Sequence, residues 1–271
     1  MPSFNVIDAA GNGYRTIWEE RFYLLRLALV PVLIKLVCQI TVIALGWEEH
    51  MFRQALVMLP SFFAEGWMVA HLVRLIYLGH RWPFRPSGDE ARDMAMIAMR
   101  ARGVIGGMLT FTVIRFLLAG LVGVFLMIEP SVMPPEIAEH PTHAELSVSG
   151  PAMLGGLFLL VASLWAFRLL WLYVPAAVDY PLGRFLRRLR GFSVSIHMLG
   201  AWMIAAVPVF FVMMSLLSIL FGPYQPGTAP EGVQFLGACL VVVLDTVATL
   251  TTTAAIACGL KPFIVETSKK S

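Results

Sequence analysis

Charged residues are scarce in this sequence. Asp, Glu, Lys and Arg make up 14% of its 271 residues, whereas soluble globular domains carry about 25%. Hydrophobic residues make up 58%, and the mean hydropathy is +0.78. Because so few polar side chains cannot cover the surface of a water-soluble domain, the composition excludes that class and predicts an integral membrane protein.

Cysteine is also scarce. The chain has three cysteines, Cys38, Cys239 and Cys258, and all lie in or beside apolar runs. An odd number of cysteines in that setting argues against a disulfide framework or a thiolate metal site. We interpret them as packing residues.

Catalytic motifs are missing as well. The sequence has no His-Glu-x-x-His, Gly-x-Ser-x-Gly, Walker or paired-carboxylate signature. The segment 129–150 holds two histidines and several glutamates, but it is rich in proline and offers no rigid frame for a metal. No basic cluster typical of nucleic-acid binding occurs. We therefore expect no enzyme, no cofactor, no metal site and no nucleic-acid partner.

Long apolar runs, in contrast, are frequent. Each of six runs exceeds the roughly 20 residues that a helix needs to cross a bilayer. The runs lie at 22–46, 54–79, 103–128, 151–176, 199–221 and 234–260. The sequence therefore predicts an all-α fold, a polytopic membrane protein whose six transmembrane helices form a single domain over residues 1–271.

An amphipathic segment precedes every second run. These segments lie at about 3–20, 80–102 and 182–190. In the third, the apolar residues recur at helical spacing, and arginines occupy most of the other positions, which is typical of a helix lying in the headgroup plane. We predict three hairpins, each preceded by a cytoplasmic amphipathic interfacial helix.

The layout also indicates an internal repeat. The second and fourth runs end in similar sequences, VRLIYL at 73–78 and FRLLWL at 167–172. Repeat units of about 1–79, 80–176 and 177–262 follow from this match and from the alternation of segments. Repeats of this kind occur in transporters, but they also arise when a packing unit is duplicated.

Basic residues lie mostly near the amphipathic segments and the termini, whereas the remaining loops are acidic. The positive-inside rule then places both termini in the cytoplasm. An even number of spans agrees with this orientation. We expect a multi-pass protein of the bacterial inner membrane.

One stretch connects the second hairpin to the third, from Arg168 to Trp202: RLLWLYVPAAVDYPLGRFLRRLRGFSVSIHMLGAW. Pro175 and Pro181 bracket a break in the helix, because proline lacks the backbone donor that a continuing helix needs. Asp179 is a candidate N-cap for the amphipathic helix that follows.

This stretch resembles a recurring segment of the bacterial YciC-like inner-membrane proteins, and related segments occur in the membrane domain associated with glycerophosphoryl diester phosphodiesterases. The residues that carry the resemblance are Pro175, Asp179, Leu182, Leu186, Arg187, Arg190 and Gly191. The resemblance implies an inner-membrane protein without assigned chemistry, and no phosphodiesterase active site accompanies it.

Four charged residues fall near the middle of the apolar runs: Lys35, Glu65, Arg115 and Asp245. Each unpaired charge at that depth costs on the order of 2.5–3.5 kcal/mol. We therefore expect ion pairs, Lys35 with Glu65 and Arg115 with Asp245. Such a group either lines a polar cavity for a proton or an anionic substrate, or forms buried bridges that fix helix register. The sequence LPSFFAEG, which contains Glu65, also predicts a kink or break in the second span.

Other arginines are candidates for binding anionic phospholipid headgroups. Arg74 and Arg168 lie near the predicted cytoplasmic face, where long side chains can reach phosphates. The amphipathic segment of the third hairpin adds Arg184, Arg187, Arg188 and Arg190.

Three functions remain open at this stage. The first is a non-enzymatic role in membrane organisation, or as an accessory or assembly subunit of a membrane complex, with a protein partner or a second copy of the chain. The second is a small transporter or channel with a polar intramembrane site. The third is recognition of anionic lipids in the bilayer.

Overall fold

The computed structural model describes residues 4–47, 50–83, 89–132, 157, 161–189, 191–224 and 228–265, and of residues 92, 122–132 and 265 it describes the backbone alone. Throughout these residues the regular structure is helical, without a β-strand. The all-α class is therefore confirmed.

Nine α-helices are defined, in chain order, within the described residues. They are α1 (Val6–Glu19), α2 (Arg21–Ala44), α3 (Met51–Val57), α4 (Leu59–Leu78), α5 (Glu90–Val132), α6 (Tyr173–Ala177), α7 (Leu182–Arg188), α8 (Phe192–Phe221) and α9 (Glu231–Val265). A 3-10 helix, Phe167–Trp171, precedes α6 and belongs with it to an apolar helical segment, Val161–Ala177.

Four helices are long and apolar enough to cross a membrane: α2, α5, α8 and α9. Helices α3 and α4 count as a fifth if they form one broken span, since they meet at an angle of 57°. Val161–Ala177 is apolar but shorter than a span, and much of the predicted run 151–176 lies outside the described residues. The helices thus fit a membrane-embedded protein with four or five spans among the described residues.

The break in the second predicted span occurs at Met58. Pro60 stands in the first turn of α4, where its missing backbone donor costs nothing. The carbonyl oxygen of Met58 accepts the backbone N–H of Phe62 at 3.1 Å and the hydroxyl of Ser61 at 2.8 Å, so both groups hold the first turn of α4 onto the break. The predicted kink or break is therefore confirmed.

Helix α4 lies at the centre of the bundle. Its side chains from Met68 to Val73 are almost entirely buried against α2, α5, α6 and α9. The outer faces of α2 and α8 carry exposed Leu, Val, Ile, Met and Phe side chains. Apolar side chains thus occur both in the core and on the outside, as expected when the surrounding solvent is lipid.

The first amphipathic helix, α1, is docked onto the bundle. Asn5 caps it, because its side-chain oxygen accepts a hydrogen bond from the backbone of Ile7 at 3.1 Å. At Gly13, a Cβ atom would lie 2.6 Å from the Cα atom of Ala255 in α9. Tyr14 donates to the carbonyl oxygen of Ala205 in α8 at 2.9 Å. Small residues of α9, among them Ala255 and Gly259, therefore leave room for α1 to pack against it.

The second predicted interfacial helix does not exist as a separate helix. Helix α5 runs without interruption for 43 residues, through Gly103, where the interfacial segment was expected to end. A Cβ atom at Gly103 would lie 2.6 Å from the carbonyl oxygen of Ala177. The glycine thus makes room for a neighbouring element and does not end the helix.

The third predicted amphipathic segment forms helix α7, but its start differs from the prediction. Pro181 occupies the N-cap position and no side chain caps the helix. Asp179 adopts a left-handed backbone conformation with φ of 56°, and its carboxylate lies 3.8 Å from the Nε atom of Arg102. The N-cap role predicted for Asp179 was wrong, because its carboxylate faces α5 and not the first turn of α7.

Candidate functional site

The four charged residues predicted at mid-span come together in the structure. Lys35 belongs to α2, Glu65 to α4, Arg115 to α5 and Asp245 to α9. We refer to these four residues as the charge cluster. Because each member comes from a different helix, the cluster connects four helices of the bundle.

Lys35 bridges the two carboxylates. Its ammonium group donates to the Oε1 atom of Glu65 and to the Oδ2 atom of Asp245. Lys35 is buried, and Glu65 has only 1% of its side chain exposed. The predicted pairing of Lys35 with Glu65 is therefore confirmed, and Asp245 is a second partner that the sequence did not predict.

Arg115 completes the cluster on the other side of Glu65. One guanidinium nitrogen lies 3.9 Å from the Oε2 atom of Glu65 and donates to the hydroxyl of Thr249 at 3.0 Å. The same guanidinium lies 5.3 Å from the ring centroid of Phe111, within cation–π distance.

The predicted direct pairing of Arg115 with Asp245 was wrong. Thr249 lies one helical turn beyond Asp245 in α9, and Arg115 binds there, while Lys35 binds the carboxylate. Thr249 is also the residue that sequence reasoning missed. Its signal is the run of threonines between residues 246 and 253, which is unusual within an apolar span.

The local sequence explains how Glu65 reaches this position. The break at Met58 starts a new helix about two turns before Glu65. Gly66 then allows α4 to approach α5 closely, since a Cβ atom at this position would lie 2.8 Å from the carbonyl oxygen of Met108. The close approach brings Glu65 within reach of Arg115.

The charge cluster is electrically balanced, with two cations and two carboxylates. It forms a chain in the order Asp245, Lys35, Glu65, Arg115. The two middle members are buried, whereas the side chains of Asp245 and Arg115 are 35% and 34% exposed. The cluster can therefore fix the register of four helices, and both ends remain accessible to another polar group.

A small pocket lies beside Arg115. It has a volume of about 210 Å³ and lies between α5, the segment Val161–Ala177, α8 and α9. Its walls combine aromatic rings with threonine hydroxyls. They include Trp171, Tyr173, Trp202, Thr249, Thr252 and Thr253. The hydroxyls of Tyr173 and Thr253 hydrogen-bond to each other at 3.0 Å.

No group of three His, Cys, Asp or Glu side chains suited to a metal occurs among the described residues. The histidines and glutamates of the segment 129–150 lie outside the residues whose side chains are described. The three cysteines are free thiols on separate parts of α2 and α9.

Arg74 and Arg168 are held inside the bundle. Both side chains are buried. Arg74 donates to the carbonyl oxygen of Ala177 at 2.9 Å, and Arg168 donates to that of Leu189. These carbonyls belong to the ends of α6 and α7, where the last backbone acceptors of a helix have no partner within it. The bundle thus supplies acceptors for both guanidinium groups, and their binding of headgroups stays a prediction.

The arginines of α7 differ in their placement. Arg184, Arg187 and Arg188 are exposed, and Arg188 also donates to the carbonyl oxygen of Phe263 at 2.6 Å. Arg190 lies outside the described residues. Phe185 and Leu189 form the buried face of α7. Arg184 and Arg187 therefore remain candidates for headgroup binding.

Comparison with known proteins finds no matching family model, no matching curated protein and no matching solved structure. The resemblance to YciC-like inner-membrane proteins accordingly stays a prediction from the residues between Arg168 and Trp202.

Proposed function

We propose that this protein is a non-enzymatic bacterial inner-membrane protein that acts as an accessory or assembly subunit of a membrane complex. The observation that carries the proposal is the accessibility of the two ends of the charge cluster. Asp245 and Arg115 each keep about a third of the side chain exposed. Lipid tails offer no hydrogen bonds at this depth, so a partner helix with polar side chains would stabilise both ends.

We also propose that the chain crosses the membrane six times. Helix α1 packs against α9 near its C-terminal end, so the first and last helices of the described chain meet at one end of the bundle. Termini on the same side require an even number of crossings. The five spans counted with the broken pair α3–α4 then need a sixth, and Val161–Ala177 is the apolar helix that would complete it.

The proposed repeat gains support from two arginines. Arg74 and Arg168 occupy matching positions in the sequences VRLIYL and FRLLWL, and each donates to a carbonyl oxygen at the end of a short helix. We infer that the units 1–79, 80–176 and 177–262 derive from one two-span module, with cytoplasmic termini on the positive-inside rule.

The test of the accessory role is gentle purification from native membranes, followed by mass spectrometry of the proteins that copurify. We expect a stoichiometric partner, either another membrane protein or a second copy of this chain. The variant Asp245→Asn should reduce its recovery at least severalfold, whereas Glu231→Gln, an exposed change in the same helix, should not. Unchanged recovery with Asp245→Asn would refute the role assigned to the charge cluster.

A transport function is the second candidate, and the pocket beside Arg115 favours it. A guanidinium group next to three threonines could bind a small anion, and the buried carboxylate of Glu65 could accept a proton. If purification recovers only lipid or small molecules, flux measurements on Glu65→Gln and Asp245→Asn in liposomes decide this candidate. Loss of flux in both variants would support transport.

A further inference from the structure

A large open cavity lies at the end of the bundle where α1 joins α2. Its volume is about 1410 Å³. The walls come from α1, the start of α2, the end of α4, the start of α5 and the end of α9. We call this cavity the vestibule. It is separate from the charge cluster and from the arginines of α7, none of which lines it.

The vestibule carries an excess of positive charge. Two carboxylates, Glu19 and Glu20, line it together with five cationic side chains: Arg15, Arg26, Arg81, Arg100 and Lys261. The carboxylates are already engaged, since Glu19 pairs with Arg15 and Glu20 pairs with Arg81. Arg26 and Lys261 stand outside these two pairs and add positive charge to the cavity.

Two of these cations have unused capacity for an anion. Arg26 forms no ion pair or hydrogen bond with any residue that the structure describes. Lys261 donates to the carbonyl oxygen of Ile76 at 3.2 Å, which uses one of its three donors.

The pKa of a histidine in the loop after α4 is lowered in part by nearby positive charges. His80 lines the vestibule outside the spans, and its pKa is lowered by burial and then by the nearby charges of Arg100 and Arg74. An anion bound among these groups would offset both charges.

The vestibule also has an apolar part. Its wall includes Phe22, Tyr23, Leu27, Leu75, Ile76, Trp82 and Met96. Phe22 and Trp82 are 68% and 51% exposed, although both are large and hydrophobic. The hydroxyl of Tyr23 accepts a hydrogen bond from the backbone nitrogen of Trp82 at 3.1 Å, which fixes the two aromatic residues relative to each other. The ligand that fits this wall has a hydrophobic portion next to its negative charge.

The position of the vestibule narrows the choice of ligand. It lies where α2 begins and α4 ends, and the ends of apolar spans are where a bilayer places its headgroups and where Trp and Tyr side chains concentrate. Its volume exceeds the roughly 300–1,000 Å³ of ordinary small-molecule pockets. A lipid already in the adjacent leaflet can therefore enter without leaving the membrane.

We propose that the vestibule binds one anionic phospholipid, with its phosphodiester between Arg26 and Lys261 and the start of an acyl chain against Phe22 and Trp82. This site goes beyond the accessory role proposed above and does not depend on it. Binding would join α9 to α2 through the lipid.

The test is native mass spectrometry of the full chain released from nanodiscs that contain phosphatidylglycerol or phosphatidylcholine. One phosphatidylglycerol molecule should remain bound to the unmodified protein. The variant Arg26→Gln/Lys261→Gln should weaken this binding roughly thirtyfold, because each cation near a membrane surface contributes about fivefold. The matched control is Arg53→Gln/Arg102→Gln, which removes two exposed charges, one from α3 and one from α5, that do not line the vestibule, and it should leave the retained lipid unchanged.

A second variant separates loss of charge from loss of folding. Arg26→Lys/Lys261→Arg keeps both charges and should retain the lipid. Equal retention of phosphatidylcholine, or an equal loss in the Arg53→Gln/Arg102→Gln control, would overturn the proposal. Displacement of the lipid by inorganic phosphate alone would also overturn it, because a soluble phosphate compound would then be the ligand.

Discussion

At the scale of single residues, Lys35 is the centre of the charge cluster. Its ammonium group contacts carboxylates from α4 and α9, and one of them, Glu65, is almost completely buried. Replacing both members of a buried pair by apolar residues is often tolerated, whereas removing one partner leaves an uncompensated charge. The effect of a substitution here therefore depends on which charges it leaves behind.

The variant Lys35→Met should be strongly destabilised. Removing the ammonium leaves Glu65 with only the more distant Arg115, so we expect a loss of about 3–5 kcal/mol in the free energy of unfolding. Thermal unfolding in detergent measures it. The control Arg184→Met removes an exposed arginine of α7 and should change stability by less than about 0.5 kcal/mol. Equal behaviour of the two variants would contradict a structural role for the cluster, and Lys35→Met/Glu65→Met should recover part of the loss.

The members of the cluster could be predicted, but only part of their pairing could. A lysine or glutamate inside an apolar run is visible in the sequence, and its cost at membrane depth requires a partner. Which partner it finds depends on which helices are neighbours. Asp245 contacts Lys35 because α9 lies next to α2, and Arg115 contacts Thr249 instead of Asp245. Contacts between helices that are far apart in sequence leave no periodic pattern along the chain.

At the scale of elements, the docking of α1 depends on the absence of side chains at its interface. Gly13 faces the backbone of α9 at Ala255, and Gly259 of α9 faces Phe4 and Ala9. Gly11, two residues before Gly13, has open space around it and is exposed. The two glycines of α1 therefore differ in their role, although both lie in the same helix.

Gly13→Ala and Gly11→Ala should consequently have opposite effects. At Gly13 the added methyl group would overlap the α9 backbone, so we expect a loss of about 1–3 kcal/mol from overpacking. At Gly11 the same change should increase stability by roughly 0.5–1 kcal/mol, since alanine favours a helix over glycine. Thermal unfolding compares them, and limited proteolysis near residue 20 reports undocking of α1. Destabilisation by both changes would argue against the described packing.

The elements themselves were predictable to different degrees. The sequence LPSFFAEG predicted the broken second span, because proline and glycine affect the backbone of the helix in which they lie. The fusion of the second amphipathic segment with α5 was not predictable in the same way. Gly103 resembles the end of a helix, yet here it accommodates Arg74 and the end of α6, which are distant in sequence.

At the scale of the whole molecule, the bundle brings both ends of the described chain to one side. Arg15 of α1 and Lys261 of α9 line the same vestibule. The apolar runs predicted a membrane protein, since hydropathy depends on composition alone. Composition alone does not give the number of spans, because that number also depends on how the segment Val161–Ala177 continues.

Reporter fusions at residue 1 and residue 271 should therefore both be active on the cytoplasmic side, as the positive-inside rule predicts. A reporter inserted between residues 224 and 228, in the connection between α8 and α9, should be active on the opposite side. Labelling of whole cells with a membrane-impermeant reagent provides an independent check. Termini on different sides would exclude six spans.

The length of α5 gives the molecule a mechanical property. Its 43 residues extend over about 65 Å, more than twice the roughly 30 Å of the hydrocarbon core, so a large part of the helix lies beyond it. Arg115 touches the charge cluster, and Met96 and Arg100 line the vestibule on the same unbroken rod. Because the helix is uninterrupted between these residues, its two parts move together. Any tilt of α5 that a partner imposes at mid-membrane must displace one wall of the vestibule, and a molecule held there must resist that tilt.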